Sequence, residues 1–229
     1  MRIGTWNMAG RTGPAHEALL TGQHCDVWLL TEVPDRLMVD NYVLHLGSSR
    51  MSARKRWAGI LSARSTTLLA DPHPASAAAS IGGRTFVSSV LPWNGCGEHW
   101  PWEGVGSAAK TVEAVRVLTT ALSGEPVVWG GDFNDALSGR DGAGSGLGRA
   151  SITAALDGLG LQVPTKGLPH RATTSQSIDH IAVPISDTVL SAHRISAVVQ
   201  GQALSDHDAY VVEIGDIEVG YLAPGQQRT

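Results

Sequence analysis

The chain is short of cysteine. Its 229 residues hold two, Cys25 and Cys96, too few for the paired framework that staples small secreted domains. Long apolar runs are missing as well: the longest are strand-sized, whereas a helix crossing a bilayer needs roughly 20 apolar residues. Positive charge is not in excess, because 17 Lys and Arg face 21 Asp and Glu for a net charge of -4. A global field that gathers nucleic acid is thereby excluded, and a polyanionic substrate has to be held by local groups. No tandem repeat or linker divides the sequence, and the first strand begins by Ile3, leaving no room for a leader segment. These absences predict one domain over 1–215 with a short tail at 216–229, monomeric, with no membrane and no readable protein partner, in the reducing cytoplasm.

What is present is an ordinary globular composition, 42% hydrophobic and 17% charged, in a chain long enough for one large α/β domain. Runs rich in Val, Ile, Leu or Trp between turn residues predict strands near 2–7, 26–31, 41–46, 57–62, 84–91, 126–131, 178–183, 194–199 and 209–214. Helices are predicted at about 14–22, 106–122 and 149–159. In the middle one Val112, Val115, Thr119 and Leu122 make an apolar stripe, while Lys110, Glu113 and Arg116 face elsewhere. After 57–62 strands follow one another without an intervening helix, which predicts antiparallel pairing inside a mixed sheet rather than a purely doubly wound fold.

The strands share a device at their ends. Val127-Val128-Trp129-Gly130-Gly131-Asp132-Phe133-Asn134 is an apolar run that stops at two glycines and then presents a carboxylate and an amide two residues apart. Side chains alternate along a strand, so Asp132 and Asn134 share a side if the chain stays extended. Ile3 to Asn7 ends in an amide, and Asp26 to Glu32 ends in a carboxylate. Near the C-terminus Asp179-His180 and Asp206-His207 each place Asp directly before His at a strand start. In open α/β sheets ligands sit beyond strand ends, so these polar ends predict a site.

Thr5-Trp6-Asn7, Leu30-Thr31-Glu32, Gly131-Asp132-Phe133-Asn134, Ile178-Asp179-His180 and Ser205-Asp206-His207, in this order, resemble the endonuclease/exonuclease/phosphatase superfamily from Arg2 to about Ile214. The resemblance implies a mixed α/β fold, a four-layer sandwich of two mixed β-sheets flanked by helices, and hydrolysis of phosphate esters with Mg²⁺ (or Mn²⁺). It implies Glu32 as a metal ligand, with Asn7 and Asp206 contributing directly or through water. Asp132 would deprotonate the attacking water, Asn134 would donate to the phosphoryl oxygen or hold the nucleophile, and His207, oriented by Asp179, would stabilise the transition state. The chain departs from the pattern twice. Ala9 stands where nuclease-type members often carry another acid, and Val90 stands where many place His or Tyr, so either a metal-bound water or a loop residue such as His99 supplies the leaving group's proton or the leaving group needs none.

Each of these residues has a plainer reading. Asp132 and Asn134 could close an Asx turn, Glu32 could pair with an arginine, and His207 could be a satisfied core histidine. His180 points to the face opposite Asp179 and is expected to be structural. The basic cluster Arg50, Arg54, Lys55 and Arg56 is either solvated surface or the holder of substrate phosphates; Arg54, Lys55 and Arg56 are the candidates. Residues 93–102 concentrate three of seven tryptophans, and Trp93 and His99 are expected to touch substrate, whereas Trp102 is expected to pin the loop. The expected substrate is nucleic acid or a small phosphorylated molecule, cleaved at a phosphodiester; a phosphomonoesterase and a non-catalytic binding module of the same fold are the competitors.

Overall fold

The computed structural model describes residues 1–124, 126–139, 143–171 and 176–215; the tail expected at 216–229 lies outside them. The elements are, in order, β1 (Arg2–Asn7), α1 (Pro14–Gly22), β2 (Val27–Pro34), β3 (Val43–Leu46), β4 (Arg50–Ser52), β5 (Lys55–Ser62), β6 (Thr66–Leu68), β7 (Ser76–Ile81) and β8 (Arg84–Val90). There follow α2 (Gly106–Leu122), β9 (Val127–Asp132), α3 (Gly146–Gly158), β10 (Leu161–Gln162), β11 (Asp179–Pro184), β12 (Val189–Ile195), β13 (Val198–Val199), β14 (Gln202–Ala203) and β15 (Ala209–Ile214).

One sheet runs β12-β15-β1-β2-β5-β3, with β4 also on β5, and the other runs β10-β11-β9-β8-β7-β6. Each contains one parallel pair, β1 with β2 and β8 with β9, joined through α1 and α2 respectively. Parallel neighbours need a crossover, and a helix supplies it. All other pairings within the two sheets are antiparallel, as the helix-free stretch after 57–62 predicted.

Strand alternation sorts the side chains into three cores. Ile3, Val27, Leu29, Ile60 and Val212 from the first sheet meet Ala77, Ala79, Phe86, Val128 and Ile181 from the second. Trp6, Trp28, Leu30 and Val211 face the other way, onto Leu19 and Leu20 of α1. Val87, Val127 and Trp129 face Val115 and Leu118 of α2 and Ile152 of α3. The result is the expected four-layer sandwich. Glycine sets its closest approach: a Cβ on Gly130 would stand 2.6 Å from the His180 carbonyl oxygen and 2.7 Å from a Leu29 methyl of the opposite sheet.

Several elements differ from expectation. β7 (Ser-Ala-Ala-Ala-Ser-Ile) was not predicted because alanine is a weak strand former; it is a strand because its small side chains fit under α2 and between the sheets. The short strands β4, β6 and β10 carry too few residues to show a period. The strand expected at 194–199 is instead Val189–Ile195, a half-exposed edge strand whose two faces differ little in burial. α3 begins at Gly146 rather than near 149, because the Ser145 hydroxyl caps the Gly148 N–H at 2.9 Å. Lys110, expected on the polar face of α2, is buried, and its ammonium donates to the carbonyls of Cys96 at 3.2 Å and Gly97 at 2.7 Å. It ties the tryptophan loop to the helix.

Gly131 has φ +123°, and a Cβ there would stand 2.2 Å from the Ser89 carbonyl oxygen of the adjoining strand. Backbone strain and overpacking each cost about 1–3 kcal/mol. Gly131→Ala is therefore expected to lower unfolding free energy by about 2–5 kcal/mol, read by urea denaturation, while Gly82→Ala on the open β7–β8 turn loses less than half of that.

Candidate active site at the rim of the two sheets

β1, β2 and β9 bring their carboxyl ends, and β11 and β15 their amino ends, to one rim. Pairing requires it: Asn7 lies beside Thr31, Thr5 lies opposite Tyr210, and Asp132 lies opposite Asp179. Asn7, Asp132 and Asp179 continue the inward-facing rows of Ile3, Val128 and Ile181, so their polar groups meet where the apolar core ends. The Asn7 Nδ2 donates to Asp132 Oδ2 at 2.9 Å and approaches Glu32 Oε1 at 3.4 Å. The Asn7 Oδ1 accepts from the Ala9 N–H at 2.9 Å.

Glu32 is not at the end of its strand, as expected, but two residues before it. Its φ of 48° lies in the left-handed region, a strained conformation for a non-glycine residue that is common at functional sites. The reversal breaks the pleat. Val33, not Glu32, continues the α1-facing row of Trp28 and Leu30, and the Glu32 carboxylate is released toward Asn7.

Asp179 Oδ2 accepts from His207 Nδ1 at 2.7 Å, and His207 Nε2 lies 3.9 Å from Asp132 Oδ2, beyond hydrogen-bond reach. Ser205 fixes the turn that carries the imidazole: its hydroxyl donates to Asn7 O at 2.7 Å and accepts the His207 N–H at 3.1 Å. Burial alone would push the His207 pKa down, but the charges of Asp179 and Asp132 outweigh it and raise the pKa to about 10. The two carboxylates thus favour the charged form of the ring. Asp132 is raised well above the usual carboxylate range, first by burial and then by the Asp179 charge, against the opposing pull of His207. Asp179 is wholly buried, and its Oδ1 has no hydrogen-bond partner among the described residues, so the His207 N–H is the donor that compensates it.

Asn134, at φ 53°, donates its N–H to Asp132 Oδ1 at 3.0 Å and one amide hydrogen to Leu91 O at 2.9 Å. One further hydrogen and Oδ1 are left for an incoming group. Asp206 is exposed beside Ser205, 3.3 Å from its hydroxyl. Val90 is buried at the end of β8, opposite Asp132, and offers no proton.

The basic cluster divides. Arg56 binds Asp35 at 3.2 Å and the carbonyls of Gly47 and Ser48, and Arg50 binds the same carboxylate at 2.5 Å; both hold the 47–56 hairpin. Lys55 is bonded to Glu32 Oε2. Of the three candidates for holding phosphate, Arg54 alone remains exposed, beside a cleft of about 500 Å³ shared with Gly10, Pro34 and Asp35. In the tryptophan loop Trp93 and Trp100 are half-buried and pack with buried Trp102 on Trp57 from β5, at centroid distances of 5.0–6.5 Å. Exposed His99 packs tilted against Trp100, with ring centroids 4.3 Å apart and planes at 41°.

Sequence reading missed His170. It lies in the loop before β11, outside any motif, and its ring stands edge-on to His207 with centroids 5.6 Å apart. Burial lowers its pKa. With Asp179 and His207 it forms a group whose ligand atoms lie within 4.8 Å of one another. The expected donors are of another kind: the carboxylates of Glu32 and of exposed Asp206, and the Asn7 Oδ1, which accepts the Ala9 N–H while Nδ2 faces Glu32, offer hard oxygen. That set suits Mg²⁺ or Mn²⁺, which take one or two carboxylates and keep several waters. The residues therefore fit the expected ion.

The chain from residue 4 to residue 215 matches the model of the Endonuclease/Exonuclease/phosphatase family. The chain belongs to that family. The solved structures it resembles include an AP endonuclease from Archaeoglobus fulgidus, with TM-score 0.71 and 15% identity over 93% of this chain and 99% of that one. The 3'-5' exonuclease NExo from Neisseria meningitidis superposes with TM-score 0.63 and 18% identity over 93% and 99% of the two chains. At these identities the likeness establishes the fold. A comparison with curated proteins finds no match. Members of the endonuclease/exonuclease/phosphatase family hydrolyse phosphate esters, and the strand order here is the scaffold on which this member presents its rim.

His180 turns away from the rim, as alternation predicted. It is fully buried, its Nε2 lies 3.1 Å from Asp135 O, and its Nδ1 lies 3.4 Å from Thr165 Oγ1. The carbonyl can only accept, so Nε2 carries the proton and the neutral ring is fixed in one tautomer. Burial pushes its pKa down to about 4. The unfolded chain thus takes up this proton first, below about pH 6.5, and the stabilisation present at neutral pH is lost as pH falls toward 4. In urea unfolding the wild type is expected to lose on the order of 3 kcal/mol more than His180→Gln between pH 7 and pH 4. Equal losses in the two proteins would contradict the assignment.

Proposed function

We propose that the protein is a divalent-metal-dependent phosphodiesterase, nuclease-like in its substrate, that works by in-line attack of water. The observation that carries the reading is the pair of charges at the rim: a buried carboxylate of raised basicity, Asp132, with an imidazolium 3.9 Å away that is held by a second buried carboxylate. A scaffold has no use for so costly an arrangement, since unpaired buried charge is destabilising.

The roles follow from the contacts. Asp132 receives the water's proton, and its orientation is set by the Asn7 amide on one oxygen and the Asn134 N–H on the other. His207 directs its Nε2–H at the phosphoryl oxygens, where negative charge grows in the transition state. Asp179 keeps that ring charged and correctly turned. Asn134 adds its free amide hydrogen to the same oxygens. Mg²⁺ or Mn²⁺ at Glu32, with Asp206 and Asn7 directly or through water, would supply Lewis-acid polarisation of the phosphoryl group. The oxygen of water bonds to phosphorus as the P–O bond to the leaving group breaks, and the leaving oxygen takes its proton from water at the open rim. Solved relatives described as an AP endonuclease and a 3'-5' exonuclease support nucleic acid as the substrate class.

The test is turnover of single- and double-stranded DNA and RNA, bis-p-nitrophenyl phosphate and p-nitrophenyl phosphate, with and without Mg²⁺ or Mn²⁺. Cleavage of nucleic acid or the diester is expected only with the ion present. Asp132→Ala and His207→Ala should each lower kcat/KM by about 10²–10⁴-fold, and Asp179→Asn should lower kcat while leaving the thermal unfolding curve cooperative. Activity on the monoester alone would replace the diester assignment with a phosphatase, and silence of all substrates would replace it with a binding role.

A further inference from the structure

Glu32 already holds a cation, and that cation belongs to the chain. Lys55, the first residue of β5, puts its ammonium on Glu32 Oε2, while the other carboxylate oxygen faces the Asn7 amide at 3.4 Å. Both partners are shielded, with about a fifth to a quarter of each side chain exposed. In the turn after β1 the position that could carry a second acid is Ala9, at φ 52°. The single carboxylate is thus electrically balanced before any metal arrives.

The lysine is placed rather than loosely tethered. Its stem crosses Gly10, where a Cβ would come within 2.9 Å of the Lys55 Cδ, and Gly10 has φ +68°. The Gly10 N–H is itself bonded to the Glu32 carbonyl at 2.9 Å. The turn after β1, the strained residue of β2 and the start of β5 form one unit around this contact. Gly10 also helps to line a cleft of about 500 Å³, with Pro34, Asp35 and Arg54.

We propose that Lys55 is a resident counter-cation of the metal position, which a divalent ion must displace from Glu32 in order to bind. The inference rests on the assignment of Glu32 as metal ligand and goes beyond it. Two positive groups cannot share one carboxylate without repulsion at close range, so the lysine weakens metal binding to the free protein. Substrate phosphate restores the balance, because it supplies negative charge for the displaced ammonium. Lys55 is then a positioning residue that couples metal retention to the presence of an anionic substrate.

The experiment is titration with Mn²⁺ alone, reading the free ion by its paramagnetic resonance signal, on the full chain as wild type, Lys55→Met, Lys55→Arg and Glu32→Gln, each checked for a cooperative melt. Lys55→Met is expected to bind Mn²⁺ about tenfold more tightly than wild type, and Lys55→Arg, which keeps the charge, to stay within about threefold of it. Added inorganic phosphate should tighten Mn²⁺ binding in wild type more than in Lys55→Met. Unchanged or weaker binding in Lys55→Met, with binding lost in Glu32→Gln, would overturn the lysine proposal and leave the metal position standing. Binding in Glu32→Gln equal to wild type would overturn both.

Discussion

The hydrogen bond from Asn7 to Asp132 is the contact on which the rim depends. It joins the last residue of a strand in one sheet to the last residue of a strand in the other. Two sheets packed face to face place inward side chains from both in one layer. Where that layer is dry it is filled by Ile3, Val128, Ile181 and their neighbours. Its last row is polar, and the functional groups are simply the continuation of the hydrophobic rows to the edge. Any change in sheet spacing, such as a side chain on Gly130, moves the rim groups of one sheet relative to those of the other.

Electrostatics at this edge works by partial compensation. Asp132 and Asp179 are both buried, and among the described residues His207 is the basic group bonded to Asp179 and 3.9 Å from Asp132. Burial first, and then the Asp179 charge, drives Asp132 up in basicity, while the two carboxylates outweigh burial and raise the pKa of His207. Glu32 faces the same Asn7 Nδ2 that donates to Asp132, and it is balanced separately by Lys55. The neutral asparagine thus stands between two charged groups, Asp132 with His207 and Glu32 with Lys55.

The loops around the rim are firmly fastened. Lys110 anchors the tryptophan loop from below, Trp57 anchors it from the side, and Asp35 gathers Arg50 and Arg56 into the opposite hairpin. Asp135, directly after Asn134, binds the Ser145 N–H at 2.8 Å and so ties the start of α3 to the catalytic turn. A stiff rim favours a substrate that is recognised by shape over one that is wrapped by moving loops.

Most of the scaffold was legible in the sequence because its long strands are apolar, Trp- and Val-rich, and end in polar residues; β1, β2, β5, β8, β9, β11 and β15 needed no partner to be seen. Elements that exist only through packing were not legible: alanine-rich β7, edge strand β12 and the short β4, β6 and β10 carry no period strong enough to read. The same division runs through the site. Chain order and residue type by themselves determined that Asn7, Glu32, Asp132, Asn134, Asp179 and His207 belong together and that His180 does not, since alternation is a local rule. Only the tertiary structure decided who is paired with whom. That Lys55 meets Glu32, that Lys110 is buried, that Arg56 is spent on Asp35 and that His170 stands against His207 are consequences of separate strands and loops converging. A charged side chain declares its chemistry in the sequence, but its partner is chosen by folding, because the cost of leaving it unpaired is incurred only once water is gone.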